Sequence, residues 1–537
     1  MSDHKKKPWE QSLGQFLEDV VARNSGKTFI EIGGQIKSYQ EFYDGVRKAA
    51  AMFADLGIRR EDRVCLFLPN CIEYVYSWFG LSLIGAISVP VNTAYKRDEM
   101  AYILNNAEAK GLVTDPSLID VAGAAAELAP SVNVRLLQGL TGTLPDGWVD
   151  YSKAHHAVEP LGDLPDVSPD DVSMLVYTSG TTGNPKGVMC THLMYVAAGQ
   201  GFAHWTEATS EDRFFTCLPY YHANIQYYST MGALASGGTL VVVDRFSASR
   251  FWGQVREAHA TVVNFIGMMM PVLAKNEPAS DDKDNTVRLF YGSPSFSPEF
   301  LADFQERFAT DIIVGFGMTE TCFGTIERIG EVRRSGSSGG PRQHPDEGFE
   351  NQVRIADQVT GQHVGEDTVG EITICNPAIM PGYWRNDEQN AETLKDGWLY
   401  TGDLGWVDSD GFLYFVDRKK DIIRRRGENI SSQEVENVVK RHPNVLDCAV
   451  LAVPSELGED EVKAYVTPRE GATPDPQELV YWCADNLAYF KVPRYWEVRD
   501  ELPRTPSLRV RKDVLRQEKE DLIEGCFDME SAGIKLR

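Results

Sequence analysis

The sequence predicts an α/β protein with a large N-terminal domain of parallel or mixed sheets with helices, followed by a small α+β domain. Three observations carry this. Short apolar runs alternate with amphipathic stretches over most of the chain. The texture changes after Asp403, where charge becomes denser and the elements shorter. And 537 residues are too many for a single hydrophobic core.

In chain order, 63–67 reads as a buried strand. From Tyr74 to Tyr95 the chain carries no charge and imitates a membrane span. Ser77, Gly80, Ser82, Gly85, Ser88 and Pro90 interrupt it, so it reads as a buried helix followed by a buried strand at 86–91. Met174, Leu175 and Val176 form another apolar strand, and 239–243, 261–266 and 312–314 repeat the pattern. Beyond 403, a hairpin-like 412–416 leads into the charged run 417–421. Ser431 and Glu434 have capping-box spacing, and Val435, Val438 and Val439 make a helical stripe. Strands at 448–453 and 462–466 and a helix near 477–487 complete the small unit. A boundary near Lys420 follows, giving domains 1–419 and 420–537.

Composition excludes several classes. A net charge of −25 argues against binding nucleic acid or an anionic membrane. Nine cysteines without a CxxC pair read as reduced thiols in a cytoplasm, with no metal site of their own. The basic start MSDHKKKPWEQ lacks the apolar stretch of a signal peptide.

The chemistry centres on residues 177–188, YTSGTTGNPKGV, with three glycines and five hydroxyl side chains in twelve residues. This reads as a glycine-rich loop leaving a strand, rich in N–H and O–H donors for an anion. It is not a Walker loop, because Pro185 stands where that pattern needs glycine. A mere flexible linker would leave Pro185 and Lys186 unexplained.

The segment resembles the phosphate-binding loop of the adenylate-forming superfamily: acyl-CoA synthetases, adenylation domains of peptide synthetases, and beetle luciferases. Other motifs match in the family's order from about residue 15 to about 515. The resemblance implies that Thr178, Ser179, Gly180, Thr181, Thr182, Gly183 and Lys186 bind phosphate. His222, after a proline turn in LPYYH, would gate the acyl pocket. Gly292, Ser293 and Pro294, in the tight turn YGSP, would lie along adenine. In GFGMTET, read as a strand-end loop with Gly315 and Gly317, Phe316 would pack on the base. Thr319 would bind the α-phosphate and Glu320 would hold Mg2+, a hard ion that wants oxygen ligands. Asp403 would take the ribose diol, with Arg418 beside it. The C-terminal domain would be mobile about a hinge at Lys420. Gly427 and Glu428 would enter the site for the thioester step. Phe490, Lys491 and Arg494 are candidates to hold CoA.

One station breaks the pattern. The family's terminal loop, P-x-T-P-T-G-K, carries a lysine that serves adenylation. Residues 503–509 here read PRTPSLR, with Leu508 for the glycine and Arg509 for the lysine. Arginine is a broad fork where lysine is a compact charge. Losing one well-placed electrostatic donor costs about 2.7–4 kcal/mol. Against that, Arg509 keeps the charge, and Arg511 or Lys512 stands close enough to substitute.

The resemblance therefore implies an acyl-CoA ligase. It would form a thioester from an acyl-adenylate and CoA and release AMP, with the ATP-dependent adenylation step impaired or absent. A separate adenylating enzyme would then be its partner. The acid reads as sizeable and mostly hydrophobic. Its expected lining at 224–228, 264–268, Gly292, Gly315 and 321–324 holds neither an acidic residue nor an arginine. The alternatives are an ordinary ATP-dependent synthetase, an enzyme that loads a carrier protein, a luciferase-like oxygenase, and a non-catalytic nucleotide binder.

Overall fold

The structure is a computed structural model. It describes residues 6–178, 185–267, 269–293, 296–331, 333–418, 421–425, 428–454, 460–487, 489–504 and 510–536. By packing, the chain divides into two compact units, Met1–Val353 with Ile374–Leu399 and Arg354–Thr373 with Tyr400–Arg537. Residues 354–373 and 400–418 thus pack with the second unit. Lys420, the expected hinge, lies outside the described residues.

Two sheets organise the first unit. In the larger, the described strands run in the order Gly340–Pro341, Thr321–Ile326, Asp311–Met318, Leu289–Ser293, Val262–Ile266, Arg213–Thr216, Thr239–Val242, Thr28–Ile32 and Gln35–Ser38. From Asp311–Met318 to Thr28–Ile32 neighbours are parallel, and antiparallel pairs close both edges. The second sheet runs Val149–Asp150, Val134–Leu137, Gly111–Thr114, Arg63–Phe67, Ile87–Pro90, Val172–Thr178 and Lys186–Thr191. It is parallel except for its last pair.

Alternation sets the core. In Arg63–Phe67, Val64 and Leu66 join one apolar cluster while Cys65 and Phe67 join another. The strand is therefore buried on both faces, as its unbroken apolar run predicts. The uncharged segment after Tyr74 lies in the buried helix Ile72–Leu83 and the buried strand Ile87–Pro90. The whole circumference of that helix is enclosed, which explains its lack of a polar face. Among the described residues, no helix is long and apolar enough to cross a membrane.

In the second unit, residues 403–407 pair antiparallel with 413–418. A hairpin of Ile422–Arg425 and Glu428–Ser431 leads into the helix Ser432–Lys440. The Ser431 hydroxyl caps that helix by accepting from Glu434 N–H at 3.2 Å. Val435, Val438 and Val439 are its buried stripe. A four-stranded sheet of Val445–Pro454, Asp460–Pro468, Tyr495–Val498 and Phe527–Asp528 packs beside the helix Pro476–Asn486.

Candidate active site

The glycine-rich segment is spanned by a hairpin of the second sheet. Thr178 ends one strand and faces Lys186, which begins the next. Ser179, Gly180, Thr181, Thr182 and Gly183 lie outside the described residues.

GFGMTET differs from the expected strand-end loop. The strand Asp311–Met318 continues through Gly315, Phe316 and Gly317, and the chain turns at Thr319–Glu320. It returns as Thr321–Ile326, with Met318 opposite Thr321. Alternating small and apolar residues suit an extended chain, so glycine here does not mark a loop. The turn is clamped from behind. Thr319 carbonyl accepts from the Tyr227 hydroxyl at 3.1 Å, and Glu320 carbonyl accepts from Met380 N–H at 2.9 Å. YGSP is likewise extended: Gly292 and Ser293 end the parallel strand Leu289–Ser293 rather than forming a tight turn. Pro294 lies outside the described residues.

A third segment joins these two hairpins. Residues 382–384 run beside the strand Lys186–Thr191, with Met189 N–H donating to Gly382 carbonyl at 3.0 Å and Trp384 N–H to Gly187 carbonyl at 2.7 Å. This fixes Tyr383 between the signatures. Its hydroxyl donates to Glu320 Oε1 at 2.9 Å, and its ring centroid lies 5.4 Å from Lys186 Nζ. Lys186 also donates to Gln389 Oε1. Desolvation holds the Lys186 ammonium below the usual lysine range, while Glu392 and Glu320 pull it back up. Burial and the Glu320 charge keep Tyr383 protonated. Tyr383 and Gln389 escape sequence reasoning, because nothing in their neighbourhood in the chain marks either one.

His222 follows the expected proline turn, its N–H donating to Pro219 carbonyl at 3.0 Å. Desolvation lowers its pKa to about 4, so the ring is neutral at pH 7. Its Nε2 is enclosed and has no hydrogen-bond partner among the described residues. Nearby, Asn264 Nδ2 donates to Asn224 Oδ1 at 3.1 Å, at the start of the wide-turned helix Ile225–Thr230. One cation from outside the expected lining also comes here. The Arg342 guanidinium donates to the Tyr228 and Tyr291 hydroxyls at 2.6 Å each.

Within the second unit, Asp403 stands directly opposite Arg418 across the antiparallel pair. Glu428 opens a strand with Arg425 opposite it. Gly427, Leu508 and Arg509 lie outside the described residues. Phe490 and Lys491 lie in the short turn Tyr489–Lys491. Lys491 grips both carboxylate oxygens of Glu434 at 2.7 Å. Arg494 forks onto Asp528 at 3.0 and 3.1 Å and also meets Glu530 at 2.9 Å. Both cations are thus held by the chain's own carboxylates. Lys512, a candidate substitute for the missing lysine, donates to Ser432 Oγ at 2.6 Å and Glu436 Oε1 at 2.7 Å. Arg511 pairs with Asp513 at 2.9 Å.

No group of three or more His, Cys, Asp or Glu suited to a metal occurs among the described residues. Among the described residues Glu320 joins no such group, so an ion proposed for it would be held mostly by substrate phosphates.

Residues 17–384 match the family model described as AMP-binding enzyme, and 434–509 match its C-terminal domain. The chain is 34% identical to the crotonobetaine/carnitine–CoA ligase of Salmonella arizonae, over 94% of this chain and 99% of that protein. The corresponding ligase of Escherichia coli O8 is also 34% identical, over 94% of this chain and 98% of that protein. ATP-bound MatB from Rhodopseudomonas palustris superposes with a TM-score of 0.85 at 26% identity, covering 96% of this chain and 100% of that one. AMP-bound O-succinylbenzoate coenzyme A synthetase from Bacillus subtilis gives 0.82 at 25%, covering 95% and 98%.

Proposed function

The chain belongs to the AMP-binding enzyme family and is an acid–thiol ligase of the acyl-CoA synthetase type; from that premise we propose that it makes acyl-CoA from an acyl-adenylate and CoA, with adenylation of the free acid as its weak half-reaction. The observation that carries the nucleotide site is the Lys186, Tyr383 and Glu320 group at the ends of two hairpins.

In the first half-reaction a carboxylate oxygen attacks the α-phosphorus of ATP, and the bond to the β-phosphate oxygen breaks. Pyrophosphate leaves. Lys186 and the glycine-rich segment neutralise the phosphates, and Thr319 donates to the α-phosphate. Glu320 would hold Mg2+ against the same phosphates, where the ion offsets charge on the leaving group. Phe316, Gly292, Ser293 and Pro294 line the adenine, and Asp403 with Arg418 takes the ribose. In the second half-reaction the CoA sulfur attacks the acyl carbon, the bond to the phosphate oxygen breaks, and AMP leaves. Rotation about Lys420 brings Gly427 and Glu428 to the pantetheine. Phe490, Lys491 and Arg494 receive the rest of CoA, which requires the Glu434 and Asp528 contacts to open. Neutral His222 borders an acyl pocket that accepts an acid with an apolar body. Nine cysteines without a CxxC pair support a cytoplasmic setting for this reaction.

The impaired first half rests on Leu508 and Arg509. Its structural support is Lys512, whose ammonium is committed to Ser432 and Glu436. In this reading a separate adenylating enzyme supplies the acyl-adenylate. The second reading is an ordinary ligase that performs both halves, and the likeness to ATP-bound MatB favours it. Two parallel assays separate them. One contains acid, ATP, Mg2+ and CoA; the other contains synthetic acyl-adenylate and CoA. Thioester formed quickly in the second and slowly in the first supports the proposal. Equal rates establish the ordinary ligase. If the two substitutions are the cause, Leu508→Gly with Arg509→Lys restores ATP-dependent turnover.

A further inference from the structure

Arg342 is 1% exposed and carries a charge that no described carboxylate pairs. Its four acceptors are the carbonyls of Thr325 and Cys322 and the hydroxyls of Tyr228 and Tyr291. All four are neutral, because burial keeps both phenols protonated. A guanidinium has five N–H groups, so one hydrogen on Nη2 has no acceptor among the described residues. Buried cations are ordinarily matched by an anion, since an uncompensated charge is costly to desolvate.

The position indicates where that anion comes from. Tyr228, Cys322 and Gly315 belong to the lining expected for the acyl group, and Tyr291 adjoins Gly292. A Cβ on Gly315 would stand 2.7 Å from Arg342 Nη2. A Cβ on Gly317 would stand 3.4 Å from both terminal nitrogens and 3.1 Å from the Tyr228 hydroxyl. Gly317 is itself exposed. The backbone of Gly315 and Gly317 thus lies against the guanidinium, with no Cβ of its own to hold it further off.

We propose that Arg342 determines specificity by recognising a second oxyanion, such as a carboxylate, at the end of the acyl group remote from the reacting carboxylate. This rests on the acyl-adenylate reading above and refines it. The acid has an apolar body and an anionic end. The expected lining holds no arginine in its own segments, and the fold supplies one from residue 342.

The test uses three non-hydrolysable acyl-sulfamoyl adenosines of equal chain length, ending in methyl, carboxylate or trimethylammonium. Their binding is measured by calorimetry on the full chain, and the matching acyl-adenylates are assayed with CoA. The carboxylate-ended analogue should bind at least about tenfold more tightly than the methyl-ended one, with the cationic one weakest. Arg342→Gln should abolish this order, and Arg342→Lys should keep part of it. A wild-type preference for methyl over carboxylate overturns the proposal. So does an unchanged order in a folded Arg342→Gln protein, which would make Arg342 only a strut between strands. If Arg342→Gln does not fold, Tyr228→Phe decides, because it releases a second guanidinium N–H and should sharpen the carboxylate preference. No change there also overturns the proposal. Tight binding without acyl preference sinks the arginine assignment alone. Failure of all three to bind or turn over sinks the acyl-adenylate reading and takes this inference with it.

Discussion

Tyr383 donates its phenolic hydrogen to Oε1 of Glu320 at 2.9 Å, joining two residues 63 positions apart in the chain. The phenol holds the carboxylate in one orientation. The same ring offers its face to the Lys186 ammonium, so one side chain sets the spacing of an anion and a cation.

Tyr383→Phe should therefore keep the ring and lose the orientation. A hydrogen bond to a charged group contributes about 1.5–3 kcal/mol. The ATP-dependent step should slow about tenfold or more, read as pyrophosphate release. Thioester formation from supplied acyl-adenylate should change little. Equal loss in both assays would count against this role for the pair.

Asp403→Ala and Glu320→Ala should weaken different things. Asp403 faces the ribose in our proposal, so its loss should reduce affinity for ATP and acyl-adenylate alike. Glu320 serves the Mg2+–phosphate side, so its loss should raise the Mg2+ requirement of the ATP step and spare adenylate binding. Titration calorimetry with an adenylate analogue distinguishes them, and matching losses would refute the division.

Lys420→Pro fixes φ near −65° at the proposed hinge. Thioester formation should fall sharply while adenylate binding survives. A normal thioester rate would remove Lys420 from that role.

Acid should destabilise the fold through its buried histidines. Desolvation lowers His192, His222 and His344 to about 4. The unfolded chain protonates them near 6.5, so between pH 6.5 and 4 it binds more protons than the native state. Stability present above pH 6.5 is thus lost as pH falls, by about 1.4 kcal/mol per pH unit for each fully shifted group. His192 Nδ1 accepts from Leu13 N–H at 3.2 Å. His192→Asn can keep that acceptor without titrating, so it should flatten the pH dependence of Tm. An unchanged slope would argue against His192 as a contributor.

Gly315→Ala places a methyl 2.6 Å from Thr325 carbonyl and 2.7 Å from Arg342 Nη2. Overpacking of this kind costs about 1–3 kcal/mol. Denaturant unfolding should show that loss. An unaffected midpoint would mean that the strands separate easily.

Much of the fold was legible because buried strands announce themselves. The run at 63–67 and the uncharged segment after Tyr74 have no polar face to solvate, and both are enclosed. The signatures around Lys186 and Glu320 stand out in the sequence by residue type, but their geometry does not. Glycine marked both as loops, yet Gly315 and Gly317 lie in a strand, where close neighbours explain the missing side chain. Tyr383, Gln389 and Arg342 were missed because their importance is purely tertiary. Nothing local distinguishes a tyrosine that will meet Glu320, or an arginine that will be buried without an acid. Lys491 and Arg494, candidates to hold CoA by sequence, show the converse: their carboxylate partners come from residues 434, 528 and 530.

The glycine-rich segment returns as the strand Lys186–Thr191 and not as a helix. A cradle at a helix end draws its positive field from aligned peptide dipoles, which survive any change of side chain. A cradle on a hairpin takes more of that field from individual residues, Lys186 above all. The hold on phosphate proposed for it would therefore be inherited one codon at a time, and natural variation could retune or erase it without disturbing the architecture beneath.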